Sequence, residues 1–441
     1  MKTMVISSHC SGGGKTTITL GLMKALMNRG YELQGYKVGP DYIDSAFHSH
    51  VTGKPSRNLD LFLMGEEGVK ASFTRGIKSS SDKSLGIIEG VMGLYDGRGV
   101  TTEFSTAHLA KTLELPVLLV ISPKAQCATL CAELNGIKDF EDVNLVGVIL
   151  NNVSESYFKL LKCAIEKYCN IEVFGYLPKD ERLSLKSRHL GLVQSCEIED
   201  LDYKIKICAE LIEKNINLDE LIKYFKDSTE YKDKFHVENK GMRIAVALDN
   251  AFSFYYRENL ELLEELGEVI YFSPLVDSKL PENIDFLYIG GGYPEVFVEE
   301  LSKNKSMLSS IKGSLQNGLH CYAECGGLMY LSESIDGVAT VGFFRGSSHM
   351  TNKLQNFGYA KIEGKLGDLT ENEDYKINCH EFHKSYVELK EDKKFKLVKI
   401  MYNDNIKEWE CGYIKNNTKA MYAHVHFFGN IEFLKSFILR K

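Results

Sequence analysis

Two stretches of the chain carry residues whose types and spacing can do chemistry. The first is SSHCSGGGKTTITL, from Ser7 to Leu20. Gly12, Gly13 and Gly14 let backbone N–H groups turn toward a phosphate with no Cβ in the way, and a following helix N-terminus adds partial positive charge. Lys15 can reach a β- or γ-phosphate, and the Thr16 hydroxyl is placed to ligate Mg²⁺. The usual P-loop pattern GxxxxGK(S/T) begins with glycine where this chain has His9, while GKTT is intact. The second stretch is GLHCYAECGGLMYL, which sets Cys325 between an expected strand, Leu319 to Ala323, and a helix starting near Gly326. This is the cysteine counterpart of the GxSxG elbow. A tight turn exposes the sulfur, small residues after it allow close approach, and the helix N-terminus favours thiolate and oxyanion. Downstream, KAMYAHVHFFGN offers His424 and His426 in an alternating pattern. Both side chains are expected on one face, where either can act as base to Cys325.

Other polar residues fall where strands should end. Lys37 closes an expected strand ending at Val38, and Gly39 and Pro40 open the loop that carries Asp41 and Asp44. In an open parallel sheet that edge is where ligands bind. Carboxylates there suit Mg²⁺ and suit helix caps equally. Glu89 ends the apolar run Leu85 to Ile88, before Gly90 and Gly93, a place for a second metal contact or a cap. Asn151 and Asn152 end a further apolar run and can read an adenine edge, because an amide both donates and accepts. Arg188 and His189 stand in a polar loop. Gly290, Gly291 and Gly292 follow the run DFLYI directly. In NCHEFHKS, His380 and His383 flank Glu381, but this is not HExxH and no third ligand is evident, so substrate contact is the better reading than zinc.

The elements that must position these residues alternate. Apolar runs ending at Val38, Ile88, Ile121 and Leu150 are separated by amphipathic stretches, which predicts a doubly wound α/β domain. The polar segment KDSTEYKDKFHVENK interrupts the pattern, and MRIAVALDNAFSF starts a second α/β unit. The expected division is a P-loop domain over 1–225, a linker over 226–241 and a second domain over 242–441. No period of repeat length stands out.

The chain has 441 residues, a net charge of −7 and a pI near 6.0. That balance argues against a general nucleic-acid or membrane-surface binder. Eleven cysteines, an odd number with no CxxC pair, read as reduced thiols of a cytoplasmic protein. No secretory signal and no run of membrane-spanning length is present in the sequence.

Taken in order, GGGKTT, KVGPDYIDSAFH, RNLD, IIEGVMGLYDG, RHLGL, IGGGYPE, AECGGLMYL, HEFH and YAHVHF resemble the cobyrinate a,c-diamide synthase family over nearly the whole chain. His9 and Cys379 stand where the pattern has glycine. The resemblance implies a P-loop domain like dethiobiotin synthetase, followed by a flavodoxin-like class I (triad-type) glutamine amidotransferase domain. It implies a glutamine-hydrolysing ligase of corrinoid (cobalamin) biosynthesis that amidates the c- and then the a-acetate of cobyrinate, with ATP as co-substrate and Mg²⁺ as cofactor. Cys325 would attack the glutamine amide and His424 would be its base, with His426 as the fallback. Gly291, Gly292 and Gly326 would form the oxyanion hole. The carboxylate usual two residues beyond the histidine is replaced by His426. Gly12, Gly13, Gly14, Lys15, Thr16, Thr17 and Asn151 would bind ATP, with Thr16, Asp41 and Glu89 on the metal. Lys37 and Asp44 would be catalytic. Tyr42, Ile43, Arg188, His189, His380 and His383 would meet the substrate. Alternatives are a nickel sirohydrochlorin a,c-diamide synthase and, in another class, a ParA-like ATPase switch. No nucleic acid and no membrane is expected as partner; a homodimer is an assembly the resemblance allows.

Overall fold

A computed structural model describes residues 1–78, 81, 83–183, 201–365 and 374–438. The chain divides into two compact units, one of residues 1–61 and 69–233, the other of residues 62–68 and 234–441.

In the first unit, strands alternate with helices: β1 (Lys2–Ser8), α1 (Lys15–Asn28), β2 (Glu32–Val38), α2 (Tyr42–Thr52), β3 (Arg57–Leu59), α3 (Leu61–Lys78, of which residues 62–68 belong to the second unit) and β4 (Ser84–Glu89). They continue with α4 (Thr106–Thr112), β5 (Val117–Ile121), α5 (Ala128–Phe140), β6 (Leu145–Asn151), α6 (Glu155–Tyr168) and β7 (Val173–Leu177). The sheet order is β3-β2-β4-β1-β5-β6-β7, with these strands parallel. β4 and β5, buried along their whole length, read as continuous apolar runs because a parallel sheet is covered on both faces. Helix α1 buries Ile18, Leu22, Ala25 and Leu26, and each fully buried Ile or Leu contributes roughly 1.5–3 kcal/mol. Register fixes the site edge: Ile6 lies opposite Glu89 on one side of β4, and Lys37 opposite Glu89 on the other.

The polar stretch after residue 225 begins by pairing Lys226 and Asp227 antiparallel with β1. Tyr231 N–H then donates to Thr74 Oγ1 at 2.8 Å, and Arg75 Nε to Asp233 at 2.7 Å. Gly65, at φ 68°, breaks the helical backbone of α3.

The second unit holds the parallel strands Gly267–Phe272, Met242–Ala247, Phe286–Ile289, His320–Glu324 and Thr418–Met421, adjacent in that order. Antiparallel strands Ile406–Lys415, Lys393–Ile400 and Gly346–Lys365 extend the sheet. The strand Asp374–Leu389 pairs with Gly346–Lys365 and also with the short strand His424–Val425, setting His380 opposite His424. Among the described residues no helix is long and apolar enough to cross a membrane.

Candidate functional sites

At the carboxyl edge of the first sheet, the loop from β1 to α1 is shaped by Gly12 (φ 75°) and Gly14 (φ 92°), the latter capping α1. Asn151 Nδ2 donates to Gly13 O at 3.1 Å and to Ser122 Oγ at 3.0 Å, and Ser122 Oγ donates to the same carbonyl at 3.1 Å. The amide therefore braces the loop. Asn152, its neighbour, is exposed at φ 59°. His9 Nε2 contacts Cys10 Sγ at 3.3 Å, so the residue in the glycine position leans along the loop. Lys15 donates to the carbonyls of Cys10 and Met92. Burial, with Lys37 nearby, lowers its pKa. Thr17, two residues further along α1, is partly exposed.

Four polar side chains converge below Thr16. Its hydroxyl donates to Glu89 Oε1 at 2.6 Å and lies 3.5 Å from both Asp44 oxygens. Lys37 Nζ is 2.7 Å from Asp44 Oδ2 and 3.3 Å from Glu89 Oε1, and donates to Gly90 O at 2.9 Å. His48 Nε2 meets Glu89 Oε2 at 2.7 Å. Burial opposes charge on both Lys37 and Glu89, but their mutual attraction, with Asp44 on the lysine and His48 on the carboxylate, keeps both ionised. Asp44 is pushed the other way. Burial and the nearby Asp41 and Glu89 hold its carboxyl well above the ordinary range despite Lys37.

Asp41 acts as a helix cap. Its Oδ1 accepts from the N–H groups of Ile43 at 2.9 Å and Asp44 at 3.0 Å, at the start of α2. Tyr42, on the first turn of α2, is half-buried, and Ile43 is buried. Arg188 and His189 lie outside the described residues. Sequence reading missed His48. Its one legible signal was a position on the face of α2 that also carries Asp44.

In the second unit Cys325 sits at φ 47° between the strand His320–Glu324 and the helix Gly326–Leu331. A non-glycine residue held there is strained, and that strain persists only where its surroundings enforce it. Cys325 N–H donates to Met421 O at 2.8 Å, and Gly327 N–H to Gly290 O at 3.1 Å. A Cβ on Gly326 would lie 3.2 Å from Gly292 N, and one on Gly327 only 2.3 Å from Ile289 O. The glycines after the cysteine therefore let the elbow close on the triple-glycine loop. Burial pushes the Cys325 thiol up, with Glu295 and Glu381 adding to the effect.

His424 and His426 meet different partners. A Cβ on Gly291 would fall 2.5 Å from His424 Cε1 and 3.4 Å from Nε2, so this edge of the ring faces the glycine loop. His424 Nδ1 is 3.8 Å from Glu324 Oε2. The His426 ring instead has Nε2 at 3.3 Å from Glu258 and Nδ1 accepting from Phe428 N–H at 3.2 Å. The shared face expected from the alternating pattern is thus divided, because the strand ends at Val425 and His426 caps the turn Phe427–Gly429.

His380 and His383 are buried. The His380 ring stacks on His424 at 4.9 Å, with Nε2 2.7 Å from Tyr256 Oη. The His383 ring stacks on Tyr422 at 3.8 Å and reaches Ser385 O at 2.8 Å. Burial lowers His380 to about 3 and, with His380 and His383 adding to it, holds His424 well below its usual value. At rest Cys325 is therefore a thiol and His424 a neutral imidazole. Among the described residues no group of three or more His, Cys, Asp or Glu is arranged to hold a metal ion. Cys379 is buried and donates to Ala360 O at 3.4 Å.

Residues 4–193 match the family model described as a CobQ/CobB/MinD/ParA nucleotide binding domain, and residues 243–431 that of a CobB/CobQ-like glutamine amidotransferase domain. The cobyrinate a,c-diamide synthase of Clostridium tetani is 65% identical over 442 residues, covering 99% of this chain and 100% of the relative. That of Clostridium acetobutylicum is 62% identical over 99% of this chain and 100% of its own length, and that of Listeria innocua 43% identical over 98% and 97%. With a nucleotide-binding domain and a glutamine amidotransferase domain on one polypeptide, and with identity of this order from end to end, the chain belongs to the cobyrinate a,c-diamide synthase family.

Proposed function

We propose that this chain catalyses ATP- and glutamine-dependent amidation of cobyrinate, first at the c- and then at the a-acetate, as a cytoplasmic ligase. The observation that carries the reading is the pairing of a strained cysteine elbow in one unit with a lysine-bearing phosphate loop in the other.

In the amidotransferase half, His424 takes the Cys325 thiol proton, and the thiolate attacks the carboxamide carbon of glutamine. The oxyanion is met by backbone N–H groups of Gly291, Gly292 and Gly326, a role supported by how closely Gly326 approaches Gly292 N. His424 returns the proton to the leaving nitrogen. Ammonia departs, and water then releases glutamate from the thioester. His380 and His383 are better suited to packing around this base and Tyr422 than to touching a macrocycle, because both are buried with ring partners.

In the synthetase half, ATP lies along Gly12, Gly13, Gly14, Lys15, Thr16 and Thr17, with Asn151 bracing the loop. A carboxylate is a poor acyl donor because oxide leaves badly. Transfer of the γ-phosphoryl group to it supplies a leaving group, which ammonia then displaces. Lys15 and Lys37 stabilise charge on the transferring group. The hydroxyl of Thr16 and the carboxylates of Asp44 and Glu89 form a hard oxygen set suited to Mg²⁺, which when bound supplies charge neutralisation on the phosphates. Asp41 is a weaker candidate for that shell, since its Oδ1 serves as a cap. Such a site needs no all-protein cage, because Mg²⁺ keeps waters and phosphate oxygens as ligands. Tyr42 and Ile43, on the first turn of the adjacent α2, would touch the reacting acetate.

The test is mass spectrometry of cobyrinic acid incubated with the protein, Mg-ATP and glutamine. Successive replacement of OH by NH₂ at two carboxyls is the expected result. No change on cobyrinic acid, with amidation of nickel sirohydrochlorin instead, would overturn the assignment of the macrocycle. ATP hydrolysis without amidation of either would overturn the ligase reading.

A further inference from the structure

A histidine that takes a proton from a nucleophile is oriented by a hydrogen-bond partner on its far nitrogen, and that partner fixes which nitrogen faces the nucleophile. In this chain the residue two positions beyond the base is His426, which is engaged with Glu258 and with Phe428 N–H. A carboxylate nevertheless lies beside His424, supplied from the other strand. We propose that Glu324 is the positioning residue of the glutaminase, holding His424 by Nδ1 so that Nε2 is presented toward the elbow; this rests on the reading of Cys325 and His424 as nucleophile and base.

Geometry carries the proposal. Glu324 Oε2 is 3.8 Å from His424 Nδ1, while the opposite edge of the ring, Cε1 and Nε2, faces Gly291. The carboxylate is itself fixed: Tyr288 Oη donates to Oε2 at 2.9 Å, Tyr322 Oη to Oε1 at 2.9 Å, and Val425 N–H to Oε1 at 3.1 Å. Val425 follows His424 directly, so the carboxylate that lies beside the ring also accepts from the backbone next to it. Glu324 also precedes Cys325, so one strand end carries nucleophile and orienter together.

At 3.8 Å the contact is longer than a hydrogen bond, as substrate-free catalytic pairs often are. Once His424 carries the proton, opposite charges at 1% exposure of the glutamate favour a shorter, charge-assisted contact. Other titratable groups facing this pair are His380, stacked on the His424 ring, His383 beside it, Tyr288 and Tyr322 on the carboxylate, and Tyr255, Cys325 and Cys379 near it. Burial raises Glu324 to about 7.

The experiment compares glutamine hydrolysis by the full chain with that of Glu324→Gln, Glu324→Asp and Glu258→Gln. Glu324→Gln is expected to lower kcat on the order of 10²-fold or more with KM little changed, by analogy with loss of the orienting carboxylate in a serine triad. Glu324→Asp should restore part of that loss. Wild-type kcat in Glu324→Gln, or a comparable loss in Glu258→Gln instead, would overturn the proposal. Should Glu324→Gln fail to fold, Cys325 alkylation by a diazoketone analogue of glutamine is followed against pH in the wild type and Glu324→Asp. A shifted profile in Glu324→Asp supports the proposal, and superimposed profiles overturn it. Wild-type protein that neither hydrolyses glutamine nor is alkylated at Cys325 would sink the underlying reading of the site, a result distinct from failure at Glu324 alone.

Discussion

His48 Nε2 lies 2.7 Å from Glu89 Oε2, with both side chains fully buried. The contact joins a helix to the tip of a central strand and leaves Glu89 Oε1 for Thr16 and Lys37. Removing the imidazole strands a buried carboxylate oxygen. His48→Leu is therefore expected to destabilise the first unit by about 1–3 kcal/mol and to lower ATP turnover. Urea unfolding followed alongside ATP hydrolysis checks this. A variant as stable and active as wild type would remove His48 from the site.

Gly14 is held at φ 92°, and a Cβ there would come within 2.0 Å of Asn151 Nδ2. Gly14→Ala must displace the amide that braces the loop. Calorimetric titration with Mg-ATP should show nucleotide affinity lost, while glutamine hydrolysis continues.

The corresponding substitution in the second unit is Gly291→Ala, whose methyl group would press on His424 Cε1 at 2.5 Å. The expected outcome is loss of glutamine hydrolysis with ATP binding kept. Glutaminase activity close to wild type would mean that His424 has room to retreat and remain functional.

Glu324 also makes a prediction about stability. Burial raises its pKa from 4.5 to about 7, so the folded chain keeps a proton that the unfolded chain releases. Its favourable contribution is therefore fully present below about 4.5 and lost as pH rises through about 7. Between those limits the wild type should lose melting temperature relative to Glu324→Gln, and the gap should stop changing above them. A gap independent of pH would contradict the raised value.

Thiol chemistry separates the cysteines by exposure. Among the described residues Cys10 and Cys163 are exposed and Cys127 is half-buried, while Cys325 is buried with its thiol pushed up. Iodoacetamide at neutral pH should label Cys10 and Cys163 first and Cys325 slowly. Peptide mapping that finds Cys325 labelled first would mean that the resting site already holds a thiolate.

The sequence by itself determined the two chemistries. A glycine-rich loop ahead of Lys15 and Thr16, and a cysteine between an apolar run and two glycines, are local patterns whose physics needs only neighbouring residues. Alternating apolar runs were enough to predict parallel strands and to put Lys37 and Glu89 at strand ends. The tertiary structure decided which distant groups meet. Register across β2, β4 and β1 set Lys37 and Glu89 side by side, and α2 brought His48 onto the same carboxylate. Asp41 and Asp44, alike by local spacing, were separated by the helix start: one caps it and the other faces Thr16. His424 and His426 were indistinguishable by alternation, because pairing partners, not period, decide what each ring touches. A strand from far along the sheet brought His380 against His424, and a neighbouring strand tip brought Glu324. Pairings of that kind depend on sheet order and on where a strand stops, which no local spacing encodes.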